Sequence, residues 1–155
     1  MAIGFRRNKE KHVTQPRVQP ASIIAVASGK GGVGKSFVST ALAGALAKAG
    51  RRTLLVDGDL GLANVDVHLG IAPQTDLVAV MAGWVELEDA VTPVSGGVAR
   101  GGFDVLPGRS GSGALSELPN EEVARLAAGL TALALQYDHV LLDLAAGIEA
   151  NVMRL

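Results

Sequence analysis

The chain has 155 residues, 48% hydrophobic and 3% aromatic, and carries a formal net charge of −1. That suffices for one compact core and falls short of two ordinary domains. With no cysteine, disulfides, thiol nucleophiles, iron–sulfur clusters and cysteine-ligated zinc are excluded, and a reducing cytoplasm is the expected location.

Charge is spread unevenly. Arg6, Arg7, Lys9, Lys11 and Arg17 fall within the first eighteen residues, opposed there by Glu10. From position 19 onward nine basic residues face fourteen acidic ones, so the body does not have the bulk charge of a nucleic-acid binder. Residues 1–20 therefore stand apart as a basic tail, most simply solvated, with contact to a membrane surface or a partner as the alternative. The head has no apolar stretch of signal-peptide length, and the most apolar helical stretch, Leu126 to Leu135, is too short to span a bilayer.

From Ala21 onward, strands and helices alternate. "SIIAVAS" (22–28) is a β-branched apolar strand that runs into a glycine loop. Val38, Ala41, Leu42, Ala45, Leu46 and Ala49 then recur at helical spacing, and Gly50 supplies the stop. "RTLLVDGD" is a second strand, ending in two acids. "TDLVAVMAGW" and "ELEDAVTPV" read as short helices, the first starting at Thr75 and Asp76. "GGFDVLPG" is a third strand, and "GRSGSGALS" (108–116) is the most loop-like segment. Asn120 is placed to cap a helix whose apolar face is Val123, Leu126, Leu130 and Leu133, with Glu121 and Glu122 in its first turn. "DHVLLDL" is a fourth strand that again ends in an acid. Wholly apolar strands separated by helices predict an α/β fold: a parallel sheet covered by helices on both faces, three layers in all.

The loop is the informative segment. Gly29, Gly34, Lys35 and Ser36 fit G-x-x-x-x-G-K-[ST] between a strand and a helix. In such a loop, glycines let backbone amides curl round phosphate oxygens, and the following helix presents its positive end. Gly29, Lys30, Gly31, Gly32, Val33, Gly34, Lys35 and Ser36 are thus the candidate nucleotide-binding residues, Lys35 for the β- and γ-phosphates and Ser36 for Mg²⁺. Gly29, Gly31 and Gly34 also satisfy G-x-G-x-x-G, with Asp57 where a dinucleotide fold places its ribose-binding acid. Against an NAD-binding oxidoreductase stand the Lys35–Ser36 pair, a further acid at Asp59, and Asp143 ending another apolar strand. A Mg²⁺-nucleotide site needs those groups and a dinucleotide site does not. Asp57 and Asp143, with Ser36, are the candidate metal-site residues. Asp66, His68 and His139 read as structural, and no histidine pair has zinc-ligand spacing.

"KGGVGKS" resembles the deviant Walker A motif of the MinD/ParA ATPases, "DGDLGLANVDVHLG" the family's switch I, and "YDHVLLDLAAGIE" its Walker B strand and switch II. The likeness runs from about Ser22 to Glu149 and leans to the MinD/FlhG branch. It implies a P-loop NTPase that binds ATP and Mg²⁺ and hydrolyses ATP slowly as an ATP-dependent homodimer. In that picture Lys30 crosses to the partner's nucleotide, Asp59 orients the attacking water, Asn64 assists at the water or the dimer contact, and Gly147 lets switch II move. The implied role is spatial: division-site selection, flagellar number, or partitioning. It goes with a protein partner or activator and with peripheral membrane contact through a C-terminal helix beyond this chain, at the inner face of the plasma membrane. The alternative is a nucleotide-occupied regulatory module without turnover. Relatives among amidotransferase-type synthases share the loop.

The sequence also departs from the pattern. Leu144-Ala145-Ala146 stands where relatives carry proline or glycine, Ala63 where some MinD proteins carry arginine, and the tail lacks the Asp-Gln-Ala motif of FlhG proteins. Residues 21–155 are expected to be the N-terminal part of a longer domain. In the implied sheet the loop-bearing first strand lies between the fourth and the fifth, so a chain stopping at Leu155 leaves one of its edges open.

Overall fold

The computed structural model describes residues 21–59, 61–110 and 119–146. The basic tail, most of the 108–116 loop and Gly147 with the rest of switch II lie outside the described residues. The elements in order are β1 (Ser22–Ser28), α1 (Lys35–Lys48), β2 (Thr53–Asp57), α2 (Val65–Leu69), α3 (Leu77–Met81), β3 (Thr92–Val94), β4 (Phe103–Leu106), α4 (Asn120–Ala134) and β5 (His139–Ala146). Short 3₁₀ turns at Glu88–Ala90 and Val98–Arg100 flank β3.

The sheet order is β1-β5-β2-β4-β3. The β1/β5, β5/β2 and β2/β4 pairs are parallel. Alternation along the buried strands divides the core into two layers. Leu54, Val56, Val140, Leu142 and Leu144 face Leu77 of α3 and Leu126 and Leu133 of α4. Leu55, Val105 and Leu141 face Ala43 and Ala47 of α1 and Val65 of α2. The three-layer architecture expected from the strand pattern is therefore present.

Two details differ from the sequence reading. "ELEDAVTPV" is not a helix: Glu88–Ala90 forms one 3₁₀ turn, and Thr92–Val94 adds to β4 as an antiparallel edge strand. Pro93 lacks the amide that a central strand needs, so an edge position suits it. The sheet is mostly parallel rather than wholly so. The buried face of α1 is also rotated from the expected stripe. Ser36, Ser39, Ala43 and Ala47 are buried, while Val38 is 53% exposed beside an exposed Phe37. Small side chains let the helix axis approach the sheet closely, and Leu42 and Leu46 pack at the flanks of that contact.

The helix starts follow local chemistry. Asp76 Oδ1 accepts from the Ala79 amide at 3.0 Å, capping α3 as expected. At α4 the cap position falls to Pro119, one residue before Asn120, and Glu121 and Glu122 occupy the first turn. Among the described residues β1 pairs with β5 alone, and its Ile23 is 55% exposed, so the expected open edge is there.

Candidate functional site

Parallel strands bring their carboxyl ends to one edge of the sheet, and three connections meet there. The loop Gly29–Gly34 leaves β1 and feeds α1. The segment after β2 runs from Asp57 to α2. Asp143 lies in β5, in register with Val26 of β1 on one side and Asp57 of β2 on the other.

Gly32 and Gly34 adopt left-handed backbone at φ 73° and 88°, which side chains with a Cβ resist. At Gly29, Gly31, Gly32 and Gly34 an added Cβ would meet nothing within 4 Å, so the loop surrounds open space rather than packing on the protein. Ser28 Oγ donates to the Lys30 carbonyl at 2.9 Å and braces the loop's entry. Lys30 and Val33 are exposed.

Lys35 turns inward. Its Nζ lies 2.7 Å from Asp143 Oδ1 and 3.9 Å from Asp59 Oδ2, with 9% of the side chain exposed. Ser39 Oγ also reaches Asp143 Oδ1, at 3.2 Å. Asp143 is 1% exposed, and its Oδ2 is buried with no hydrogen-bond partner among the described residues. A buried carboxylate oxygen without a donor is costly. With the open loop at hand and Ser36 buried at the head of α1, it fits a hydrated Mg²⁺, which takes one or two protein oxygens and keeps its waters.

Asp57 is arranged differently. Oδ1 accepts from the Asp59 amide at 3.2 Å, and Oδ2 from the amides of Asn64 and Val65 at 3.1 Å each. The carboxylate thus ties down both ends of switch I and starts α2. Burial pushes its pKa up to about 6; the backbone bonds oppose that shift, and the nearby Asp143 charge adds to it. A folded pKa above the unfolded one means that stability is fullest at low pH. It is lost as pH rises between about 4 and 6, by about 3 kcal/mol for two units. Carboxyl NMR of the nucleotide-free protein should show Asp57 titrating near pH 6, well above the ordinary aspartate value. A midpoint below 4 would show that the three amides outweigh burial.

Asp59 is half-buried, and its Oδ1 accepts from the Leu62 amide at 3.1 Å while Oδ2 faces Lys35. Asn64 is exposed at the start of α2, and its side chain caps nothing. Asp66 bonds the neighbouring Val67 amide, and His139 sits at the opposite end of β5 from the loop. The geometry thus gathers Lys35, Ser36, Asp57, Asp59 and Asp143, and leaves Lys30, Val33 and Asn64 facing solvent.

Two contributors escaped the sequence reading. Ser39 is fully buried against Asp143, and its signal was its position one helical turn after Lys35, on the same face of the helix. Gly108 lies flat on switch I: a Cβ there would come within 2.9 Å of both the Ala63 Cβ and the Asp57 carbonyl. Ala63, where some MinD proteins carry arginine, is buried beneath it.

Residues 24–151 match the family model of the CobQ/CobB/MinD/ParA nucleotide-binding domain. The antiactivator FleN of Pseudomonas aeruginosa is 42% identical over 136 residues, covering 88% of this chain and 47% of that protein. The flagellum site-determining protein YlxH of Helicobacter pylori is 32% identical over 128 residues, covering 83% and 42% respectively. The septum site-determining protein MinD of Pyrococcus horikoshii, solved with Mg-ADP, superposes with a TM-score of 0.69 at 33% identity, over 86% of this chain and 52% of that one. The chain spans about half the length of the curated relatives it matches. Matched from the first strand through the glycine loop to β5, the chain belongs to the CobQ/CobB/MinD/ParA nucleotide-binding family.

Proposed function

We propose that this chain carries the phosphate- and Mg²⁺-binding half of a slow, dimerising ATPase that works in spatial regulation. One observation supports the reading above the rest: Lys35 Nζ sits at the head of α1, between Asp143 and Asp59, directly behind an open glycine loop. A cation is thereby held where the loop amides and the helix end would receive a triphosphate.

In this reading Gly29 and Gly31–Gly34 offer amides to the phosphates, and Lys35 exchanges its carboxylate partners for the β- and γ-phosphates. Ser36 and Asp143 hold Mg²⁺, with Asp57 behind them as the residue that positions switch I. When bound, Mg²⁺ neutralises phosphate charge. Asp59 orients the attacking water. Lys30 is exposed at the loop and would serve the nucleotide of a second subunit, with Asn64 beside that contact. ATP then acts as the adhesive of a homodimer, and hydrolysis releases it.

The names of its relatives, an antiactivator and two site-determining proteins, support a task in flagellar number or placement, or in division-site selection, exercised through a protein partner. Attachment would be peripheral, at the inner face of the plasma membrane. No helix among the described residues is long and apolar enough to cross a membrane.

Light scattering of the intact protein with and without ATP and Mg²⁺ tests this reading. The expected result is a shift from monomer to dimer that Lys30→Ala abolishes while leaving nucleotide affinity within about threefold, since an exposed lysine adds little to its own subunit's site. Binding without dimerisation would remove the role given to Lys30. No metal-dependent affinity for ATP would remove the whole reading.

A further inference from the structure

On the face away from α1, the outer sides of α3 and α4 leave a cavity of about 270 Å³. Val80, Met81 and Leu126 give it apolar walls, and Glu86 and Glu122 line it with negative charge. Arg125 is the basic residue of the lining, and its Nη2 is engaged by the Met81 carbonyl at 3.1 Å. Trp84 lies between two lining residues and is 73% exposed. Glu88 and Asp89 follow in the adjoining 3₁₀ turn, and Glu121 precedes Glu122 on α4; all three are exposed. A hollow with apolar walls and more acid than base at its rim, with an uncovered tryptophan beside it, fits an occupant that is apolar and basic together.

Such a segment exists in this chain. Residues 1–20 carry Ile3 and Phe5 directly before Arg6 and Arg7, then Lys9, Lys11 and Arg17, against a single acid, Glu10. They join the described structure at Ala21, which packs against the same core layer as α3 and α4. Fifteen extended residues reach about 50 Å, against roughly 40 Å for the breadth of a domain of this size. We propose that the basic N-terminal segment docks on its own domain in the α3–α4 hollow, Phe5 entering between Met81 and Leu126 and Arg6 and Arg7 meeting Glu86 and Glu122. This goes beyond the nucleotide site and does not depend on it: the hollow lies on the other face of the sheet from α1.

Trp84 is the chain's single tryptophan, so its fluorescence reports on the hollow without labelling. Acrylamide quenching of the full chain should be roughly twofold weaker than in the Arg6→Glu/Arg7→Glu variant, as expected when most molecules are docked. Glu86→Lys/Glu122→Lys should raise quenching equally, and combining all four reversals should restore protection. Raising salt from about 0.1 to 1 M shortens the screening length from about 10 to 3 Å and should expose Trp84 in the unaltered chain. Unchanged unfolding midpoints would show that the variants remain folded. Equal quenching in every variant and at both salt concentrations overturns the proposal. Protection that grows with protein concentration overturns it too, because the segment would then come from a second copy.

Discussion

Lys35→Ala is expected to abolish Mg²⁺-dependent ATP turnover, by about a hundredfold or more, and also to destabilise the nucleotide-free protein. The second effect follows from geometry. Lys35 is the cation 2.7 Å from Asp143, and those side chains are 9% and 1% exposed. Removing one partner of a buried pair leaves the other charge uncompensated, at about 3–5 kcal/mol. Against a total stability of about 5–15 kcal/mol, that brings a domain close to unfolding. Asp143 Oδ1 would keep the Ser39 hydroxyl alone, while Oδ2 has no donor among the described residues. The double variant Lys35→Ala/Asp143→Asn removes the stranded charge. Its urea midpoint should recover most of the lost stability, while turnover stays absent. If Lys35→Ala kept ATP affinity within about threefold, the loop would not be gripping phosphate through this residue.

Asp59→Asn should leave ATP binding nearly intact and cut phosphate release by about a hundredfold to ten-thousandfold, the range for a group that positions or deprotonates the nucleophile. Asparagine is the informative replacement. Its carbonyl can still accept from the Leu62 amide as Asp59 Oδ1 does at 3.1 Å, so switch I keeps its turn and the charge alone is lost. The carboxylate oxygen that matters is Oδ2, 3.9 Å from Lys35 Nζ and on a residue only half-buried, where a water can reach it. Undiminished release would take the water-orienting role from Asp59. If neither the unaltered protein nor the variant released phosphate while both bound ATP, the alternative would stand: a module whose surface follows nucleotide occupancy.

Local chemistry made much of the fold and site legible. "SIIAVAS", "TLLVD" and "HVLLDL" are too apolar and β-branched to be anything but strands, and each is one, although "SIIAVAS" lies at the open edge and stays partly exposed. Asp76 announced a helix start because a carboxylate one turn ahead of an amide is a covalently local arrangement. The glycine loop was readable for the same reason, since its shape depends on which of its own residues can take positive φ. What failed was decided by neighbours distant in sequence. The stretch 35–48 has alanine, leucine and valine on nearly every side, so the stripe through Val38, Leu42 and Leu46 was one of several that could be buried, and the sheet chose Ser39, Ala43 and Ala47. Three residues, "TPV", cannot display a strand period, and they became a strand because the edge of β4 was there to pair with.

The site divides along the same line. Residue order by itself determined that a phosphate-shaped loop stands before a helix with Lys35 and Ser36 at its head, and that acids lie toward the carboxyl ends of the neighbouring strands; Asp57 ends β2, while β5 runs on past Asp143 to Ala146. Tertiary structure alone decided that Lys35 meets an aspartate 108 residues away. It also set Asp57 to fastening switch I with three backbone amides, and it brought Gly108 down upon Asp57 and Ala63. The physical reason is range. A loop's backbone conformation is governed by steric limits within a few residues, whereas the partner of a buried charge is set by which strands lie side by side, and that order is a property of the whole packed sheet.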